Sequence, residues 1–267
     1  MFEAKLGNAA VLKKIIDAIK DLLSDAIWDC TNEGLSVQAM DSSHVSLVSL
    51  KLEADSFEEY RCDRNFTLGI NLANMAKIMK CAANDDSVTL RAREEGDTIC
   101  FIFESPSQER QSEYEIKLMD LEGDHLGIPE TEYSCVIHMP SSELTRICRD
   151  LSQIGDSLQV TCTKNGVRFS AKGDMGSGAV RLCQTANTEK EEEAVIIDLR
   201  EPCLATFAIK YLMSFTKAAP LSTQVKISIS NDVPIAVEYK IKRTGYVRYY
   251  LAPKIDENAP KESIADD

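Results

Sequence analysis

The residues of this 267-residue chain that could do chemistry are three histidines, nine cysteines and a few close acidic pairs, and none has the spacing that catalysis or metal binding requires. His44, His125 and His138 have no partner at metal-ligand spacing, and a histidine standing alone is more often structural than a ligand. The cysteines lie far apart with no C-x-x-C pair. That predicts buried reduced thiols in an intracellular compartment rather than disulfides or a zinc site. Gly173-Asp174-Met175-Gly176-Ser177-Gly178 has the glycines of a phosphate loop, but no Lys-Ser/Thr and no helical pattern follow it. It reads as a β-turn, not an ATP site. Glu58-Glu59 and Asp85-Asp86 fall in polar, turn-like stretches, and no G-x-S-x-G, H-E-x-x-H or EF-hand pattern occurs. The sequence therefore predicts a protein with no catalytic residue, no metal and no cofactor.

What remains is the placement of charge. The formal net charge of −13 argues against nucleic acid, but its distribution argues for it. Four stretches with helical periodicity, 9–23, 71–82, 141–155 and 208–219, hold nine Lys or Arg against four Asp or Glu, which leaves −18 for the rest of the chain. A protein charged in this way repels polyanions everywhere except at those helices. Lysine opposite an apolar stripe is what any solvated helix shows, so one such face means little. Four of them, all escaping the acidic bias, point to a polyanion. With no aromatic, Asn or Gln counted on these faces, the expected contacts are to phosphates rather than to bases.

The elements that carry these faces repeat. Shifted by 132 residues, Leu12, Ile15, Ile19, Trp28, Cys30, Gly34 and Leu35 fall on Leu144, Ile147, Leu151, Val160, Cys162, Gly166 and Val167. A shift of 137 brings Leu72, Met75 and Lys80 onto Ile209, Leu212 and Lys217, so about five residues, the acidic run Glu189 to Glu193, are inserted between. The chain reads as a tandem duplication. Each half reads strand, helix, strands, helix, strands, with helices on one face only of half-buried antiparallel sheet, an α+β class. In the first helix the expected packing stripe is Val11, Ile15, Ile19 and Leu22. The halves are expected at 1–117 and 135–258. They are joined by a connector at 118–134 whose Leu121, Leu126 and Ile128 are apolar for an exposed linker, and followed by an acidic disordered tail at 259–267. No apolar run approaches the roughly 20 residues of a membrane span, so no membrane partner is expected. No basic and apolar leader opens the chain, so the Asn65-Phe66-Thr67 sequon is expected to stay unglycosylated.

Several segments together resemble the proliferating cell nuclear antigen family, the eukaryotic sliding clamps: MDSSHVSLV at 40–48, YRCDRNF at 60–66, KLMDLEGDHLGIPETEYSC at 117–135, RICRDLSQIGD at 146–156, KEEEAV at 190–195, and VPIAVEYKI with YYLAPKI near the end. The resemblance covers about residues 1 to 258. It implies a nuclear homotrimeric ring of six repeats, whose helices surround duplex DNA without sequence choice. Such a ring serves as a processivity factor that tethers DNA polymerase, clamp loader, ligase, flap nuclease and cell-cycle regulators through short docking peptides. A checkpoint-type subunit of a heterotrimeric ring is the alternative on the same fold.

Carried onto this chain, the resemblance assigns DNA binding to Lys5, Lys13, Lys14, Lys20, Lys77, Lys80, Arg110, Arg146, Arg149, Lys210 and Lys217. It assigns the docking surface to Met40, His44, Val45, Leu47, Leu126, Ile128, Pro129, Pro234, Tyr250, Ala252 and Pro253. The subunit joint falls on the edges Glu109 to Lys117 and Met175 to Cys183, with Cys81, Tyr114, Leu151, Ile154 and Gly178. Leu151 and Ile154 also have the plainer reading of core residues within one half. Lys164, beside Asn165-Gly166 in an expected turn, matches the position that receives ubiquitin in the family. Residue 127 is Gly, so modification of a lysine there is excluded.

Overall fold

The computed structural model describes residues 1–93, 96–123, 126–128, 131–185, 190–241 and 245–255. The first half runs β1 (Phe2–Leu6), α1 (Ala9–Ile19), β2 (Asp25–Thr31), β3 (Gly34–Met40), β4 (Ser46–Glu53), β5 (Glu59–Cys62), β6 (Phe66–Asn71), α2 (Leu72–Met79), β7 (Ser87–Ala92), β8 (Thr98–Glu104) and β9 (Gln111–Lys117). The second repeats the order with β10 (Cys135–Pro140), α3 (Ser141–Ser152), β11 (Ser157–Thr163), β12 (Gly166–Gly173), β13 (Gly176–Leu182), β14 (Ile196–Leu199), β15 (Cys203–Ala208), α4 (Ile209–Phe215), β16 (Gln224–Ile229), β17 (Ile235–Ile241) and β18 (Gly245–Leu251). Short 3-10 turns at Ala54–Ser56, Glu191–Glu193 and Thr216–Leu221 complete the described elements.

The chain forms two compact units, Met1–Gly127 with Lys240–Val247, and Ile128–Tyr239 with Arg248–Asp267. In the first, strands run in the orders β5-β1-β7-β8-β9 and β4-β3-β2-β6; in the second, β13-β12-β11-β15 and β14-β10-β16-β17-β18. The registered pairs between these strands are antiparallel, as in β8 with β9 and β12 with β13. Alternation of apolar and polar residues makes this possible in most strands, which bury every second side chain, while β8 and β17 bury runs of consecutive residues. In β1 the sequence FEAKL buries Phe2, Ala4 and Leu6 and leaves Glu3 and Lys5 on the other face.

The helices are set by their caps and stripes. Asn8 Oδ1 accepts from Ala10 N at 2.8 Å, and Asn71 Oδ1 accepts from Asn74 N at 2.9 Å, so α1 and α2 each begin on an asparagine cap. The equivalent positions of the second half are Pro140 and Ala208, neither of which makes a side-chain cap. Helix α1 buries Leu12, Ile15, Ile16 and Ile19, with Leu23 just beyond it, whereas Val11 and Leu22 are only half-buried. The expected stripe is thus rotated by about one residue. Each fully buried Leu or Ile contributes roughly 1.5–3 kcal/mol of transfer free energy, so this face fixes the helix on its sheet. In the second unit the core closes around Phe215 stacked on Tyr249, with ring centroids 4.6 Å apart.

Among the described residues no helix is long and apolar enough to cross a membrane. The stretch at 173–178 is the β12–β13 hairpin: Asp174 and Met175 make the turn, and Gly176 has a φ of 135°. The acidic tail lies outside the described residues, as do His125 and Pro129.

Candidate nucleic-acid and partner interfaces

The sheets bury one face of every helix, and the basic side chains stand on the other. Lys14, Lys77, Lys80, Arg146, Arg149, Lys210 and Lys217 are all exposed, because each follows or precedes the buried stripe by about half a turn. Their local partners differ. Lys13 is turned aside: its Nζ donates to the Ala82 carbonyl and, at 3.2 Å, to Asn84 Oδ1, so it ties α1 to the turn after α2. Lys20 pairs with Asp17 one turn earlier. Arg149 donates to Asp150 at 3.0 Å, and Arg146 lies 3.7 Å from the same carboxylate. Lys5 sits off the helices on β1, 4.0 Å from Glu104. Arg110 is exposed just before β9. The sequence expectation that no aromatic stands among the cations is corrected by Tyr211, whose ring carries Lys210 Nζ 4.9 Å from its centroid. Exposed ion pairs of this kind hold their partners weakly, so these cations can exchange a carboxylate for a phosphate.

Each unit also ends in a strand that is paired on one side only. β9 is last in its order and β13 is first in its own. On β8 the helix-facing Ile99, Phe101 and Phe103 are fully buried, but on β9 Ser112, Tyr114 and Ile116 on the same face are only half-covered. Val180 and Leu182 of β13 are likewise half-covered. Tyr114 lies against Phe103 with ring centroids 5.7 Å apart. A Cβ on Gly178 would stand 3.4 Å from both Leu151 and Ile154, at ordinary contact distance, so this edge position lies directly beside those two side chains. Leu151 is 4% exposed within its own unit and belongs to that core, while Ile154 is half-exposed and Cys81 exposed.

The connector begins beside β6 of the first unit. Met119 N donates to the Gly69 carbonyl at 2.9 Å, and the Met119 carbonyl approaches Gly69 so closely that no Cβ could fit there. Further on, Gln38 Nε2 donates to the Leu126 carbonyl at 2.9 Å, and Leu126 N donates back to Gln38 Oε1 at 2.8 Å. The Leu126 side chain, 43% exposed, is left facing solvent. Met40, Val45 and Leu47 are half-buried in the same unit and His44 is exposed.

His44 and Val45 sit on a loop that Asp41 organises. Its carboxylate accepts from Val45 N at 2.9 Å, Ser46 N at 2.7 Å and Ser43 N at 3.1 Å, and from the Ser43 hydroxyl. Burial alone would raise the Asp41 pKa; the Ser43 hydroxyl and these main-chain donors outweigh it and hold the carboxyl well below its usual range. The loop turns through His44 at a φ of 55°.

In the second unit Ile128 and Tyr250 are half-buried, and Pro234 and Ala252 are exposed. The phenol of Tyr250 accepts from Arg248 Nη1 at 3.2 Å, and Arg248 is held by Glu238, a carboxylate only 7% exposed. Lys254 N donates to the Thr206 carbonyl at 2.7 Å and its Nζ to Ser157 at 2.6 Å, which fixes the strand end bearing Ala252 and Pro253. Tyr133 donates to the Pro234 carbonyl at 3.4 Å. Burial, then neighbouring Tyr250, raises its pKa.

Sequence reasoning missed Gln38, Asp41, Tyr133 and the Glu238–Arg248 pair. Only Asp41 carried a local signal, the Asp-Ser-Ser run of an Asx turn. Lys164 is exposed in the β11–β12 turn, as expected. All nine cysteines are free thiols, and Cys30, Cys100, Cys135, Cys148, Cys162 and Cys203 are buried. Among the described residues, one group brings three ligand-type side chains together: Cys100, Glu113 and Glu115, with atoms within 4.8 Å of one another.

Two tandem α+β repeats, each laying two helices on one face of antiparallel sheet, define the clamp fold. Residues 1–126 match the N-terminal domain family of proliferating cell nuclear antigen, and residues 127–254 match its C-terminal domain family. The chain belongs to the proliferating cell nuclear antigen family of DNA sliding clamps.

Proposed function

We propose that three copies of this chain close into a ring around duplex DNA and tether DNA polymerases and other replication and repair enzymes to it as a processivity factor, in the nucleus of the cell. The observation that carries this reading is the outward basic face on helices α1, α2, α3 and α4, in repeated positions, on a chain that is otherwise strongly acidic. Duplex DNA carries about one charge per 1.7 Å, so such faces hold it without choosing a sequence and without stopping it from sliding. The half-covered strands β9 and β13 supply two open edges, and a head-to-tail joint between them uses both.

Partner docking is assigned to Met40, His44, Val45, Leu47 and Leu126 in the first unit and to Ile128, Pro234, Tyr250, Ala252 and Pro253 in the second. These are adaptable apolar side chains, suited to a short peptide with a hydrophobic plug, and to several partners in turn. The protein does this work by binding and position, without catalysing a reaction. Lys164, exposed on a turn, is the proposed attachment point for a modifier.

The test separates topology from grip. Ring loaded on a nicked circle should persist at salt that strips a protein bound to an open DNA surface, and a single cut should release it by sliding off the end. Unchanged residence after cutting would replace the ring with groove binding. Solution mass is the second arm: one species of three chains supports the homotrimer, whereas a single chain that forms rings only with other subunits supports the checkpoint-type alternative.

A further inference from the structure

Among the described residues, the sheet surfaces turned away from the helices carry a cluster of like charges beside each of the edge strands β9 and β13. In the second unit Arg168 of β12 stands directly across from Arg181 of β13, and both are exposed. Like charges opposite each other weaken a sheet. Arg181 Nη2 donates to the Asn165 carbonyl at 2.9 Å, a neutral acceptor that leaves its charge unmatched. In the first unit Glu113 and Glu115 of β9 bring carboxylate oxygens within 4.8 Å of each other and of Cys100 Sγ. The Cys100 thiol donates to Glu113 at 3.1 Å but brings no positive charge. Arg91 of β7 stands near them, yet Glu3 already holds it at 3.2 Å. Glu3 and Glu113 therefore both draw on one guanidinium, and the next cation on that face of β9 is Lys117, two residues beyond Glu115.

We propose that these clusters are the two halves of one ion-pair clasp, in which Glu113 of one copy, with Glu115 behind it, meets Arg181, backed by Arg168, of the next copy on the outer side of the joint. The clasp rests on the ring proposed above. Its register follows from size. Tyr114 is the bulkiest side chain on the helix-covered face of β9, and Gly178 is the position on β13 where that face has no side chain. Pairing Tyr114 with Gly178 antiparallel, as the strands within each unit pair, sets Glu113 across from Ala179 and Gln111 across from Arg181. Glu113 and Arg181 then lie diagonally on the outer face, within reach of long side chains. The register thus brings one carboxylate of the acidic cluster within reach of the guanidinium at the edge of the basic one.

The experiment measures the ring-to-single-chain equilibrium by analytical ultracentrifugation for wild type, Glu113→Arg, Arg181→Glu and the double reversal, with circular dichroism and thermal midpoint as folding controls. Either single reversal should raise the dissociation midpoint about tenfold in about 0.1 M salt, and less in about 1 M salt, where the screening length shortens from about 10 Å to about 3 Å. The double reversal should return to within about threefold of wild type, because each copy supplies both partners. A wild-type ring that ignores both single reversals, or a double reversal as weak as the two effects combined, overturns the clasp. If a single variant loses its fold, Glu113→Gln and Arg181→Gln replace the reversals and should each weaken the ring; rings unaffected by them also overturn it. Wild type that stays a single chain at every concentration overturns the ring itself.

Discussion

Gln38 holds Leu126 as a neighbouring strand would, its amide donating to the carbonyl at 2.9 Å and accepting from the N–H at 2.8 Å. A side chain 88 residues away thereby supplies both hydrogen bonds that the connector lacks. Replacing it by leucine keeps the bulk and removes both bonds. Gln38→Leu should leave the thermal midpoint almost unchanged, speed hydrogen exchange at the Leu126 amide, and weaken a polymerase-derived docking peptide about tenfold, since the connector must then be ordered on binding. Wild-type exchange at Leu126 in the variant would show that the pair does not hold the connector. Fast exchange with wild-type peptide affinity would show that the connector's position does not govern docking.

The Asp41 loop should be insensitive to mild acid. Its folded pKa lies below the unfolded value of about 3.9, so the stabilisation is fully present above about pH 4 and is lost only as pH falls through the lowered folded value. Asp41→Asn removes the charge and turns one acceptor into a donor facing main-chain N–H groups. A loss of about 1.5–3 kcal/mol is expected, with the His44 and Val45 resonances broadened and peptide docking impaired at neutral pH. An Asp41 carboxyl resonance that titrates between pH 5 and 6 in the wild type would contradict this account.

Lys13 and Lys77 should behave differently although both lie on basic helices. Lys13 is committed to Ala82 and Asn84, so Lys13→Ala should cost about 1 kcal/mol of stability. Lys77 is exposed, and Lys77→Glu together with Lys20→Glu should weaken salt-dependent DNA binding and enzyme stimulation while ring mass and stability stay near wild type. Equal thermal loss at Lys13→Ala and Lys77→Ala would remove the structural role given to Lys13.

Tyr114→Ala tests the edge itself. The ring of Tyr114 packs on Phe103 but stays partly exposed in the single chain, so the rest of its burial is expected at the joint. Loss of a core-like aromatic costs roughly 3 to 5 kcal/mol, enough to shift a micromolar assembly to single chains. Light scattering should report one chain's mass; a mutant still assembled at nanomolar concentration would refute Tyr114 as a joint residue.

The duplication, the order of elements in each half, the basic helix faces and the hairpin at 173–178 could all be read from the sequence, because each depends on periodicity or turn chemistry within a few residues. Periodicity stops short of the packing angle. Val11, Leu12, Leu22 and Leu23 all lie within one apolar arc of the periodic stretch 9–23, and only the sheet beneath decided that Leu12 and Leu23 are buried while Val11 and Leu22 are partly exposed. The same limit applies to charge. Composition marks Lys13 and Lys77 as equal cations, but Lys13 meets a carbonyl 69 residues away and Lys77 does not. Gln38 on Leu126 and Arg168 across from Arg181 likewise exist only once distant segments are brought together, because a hydrogen bond or a repulsion depends on distance through space, which local sequence does not encode.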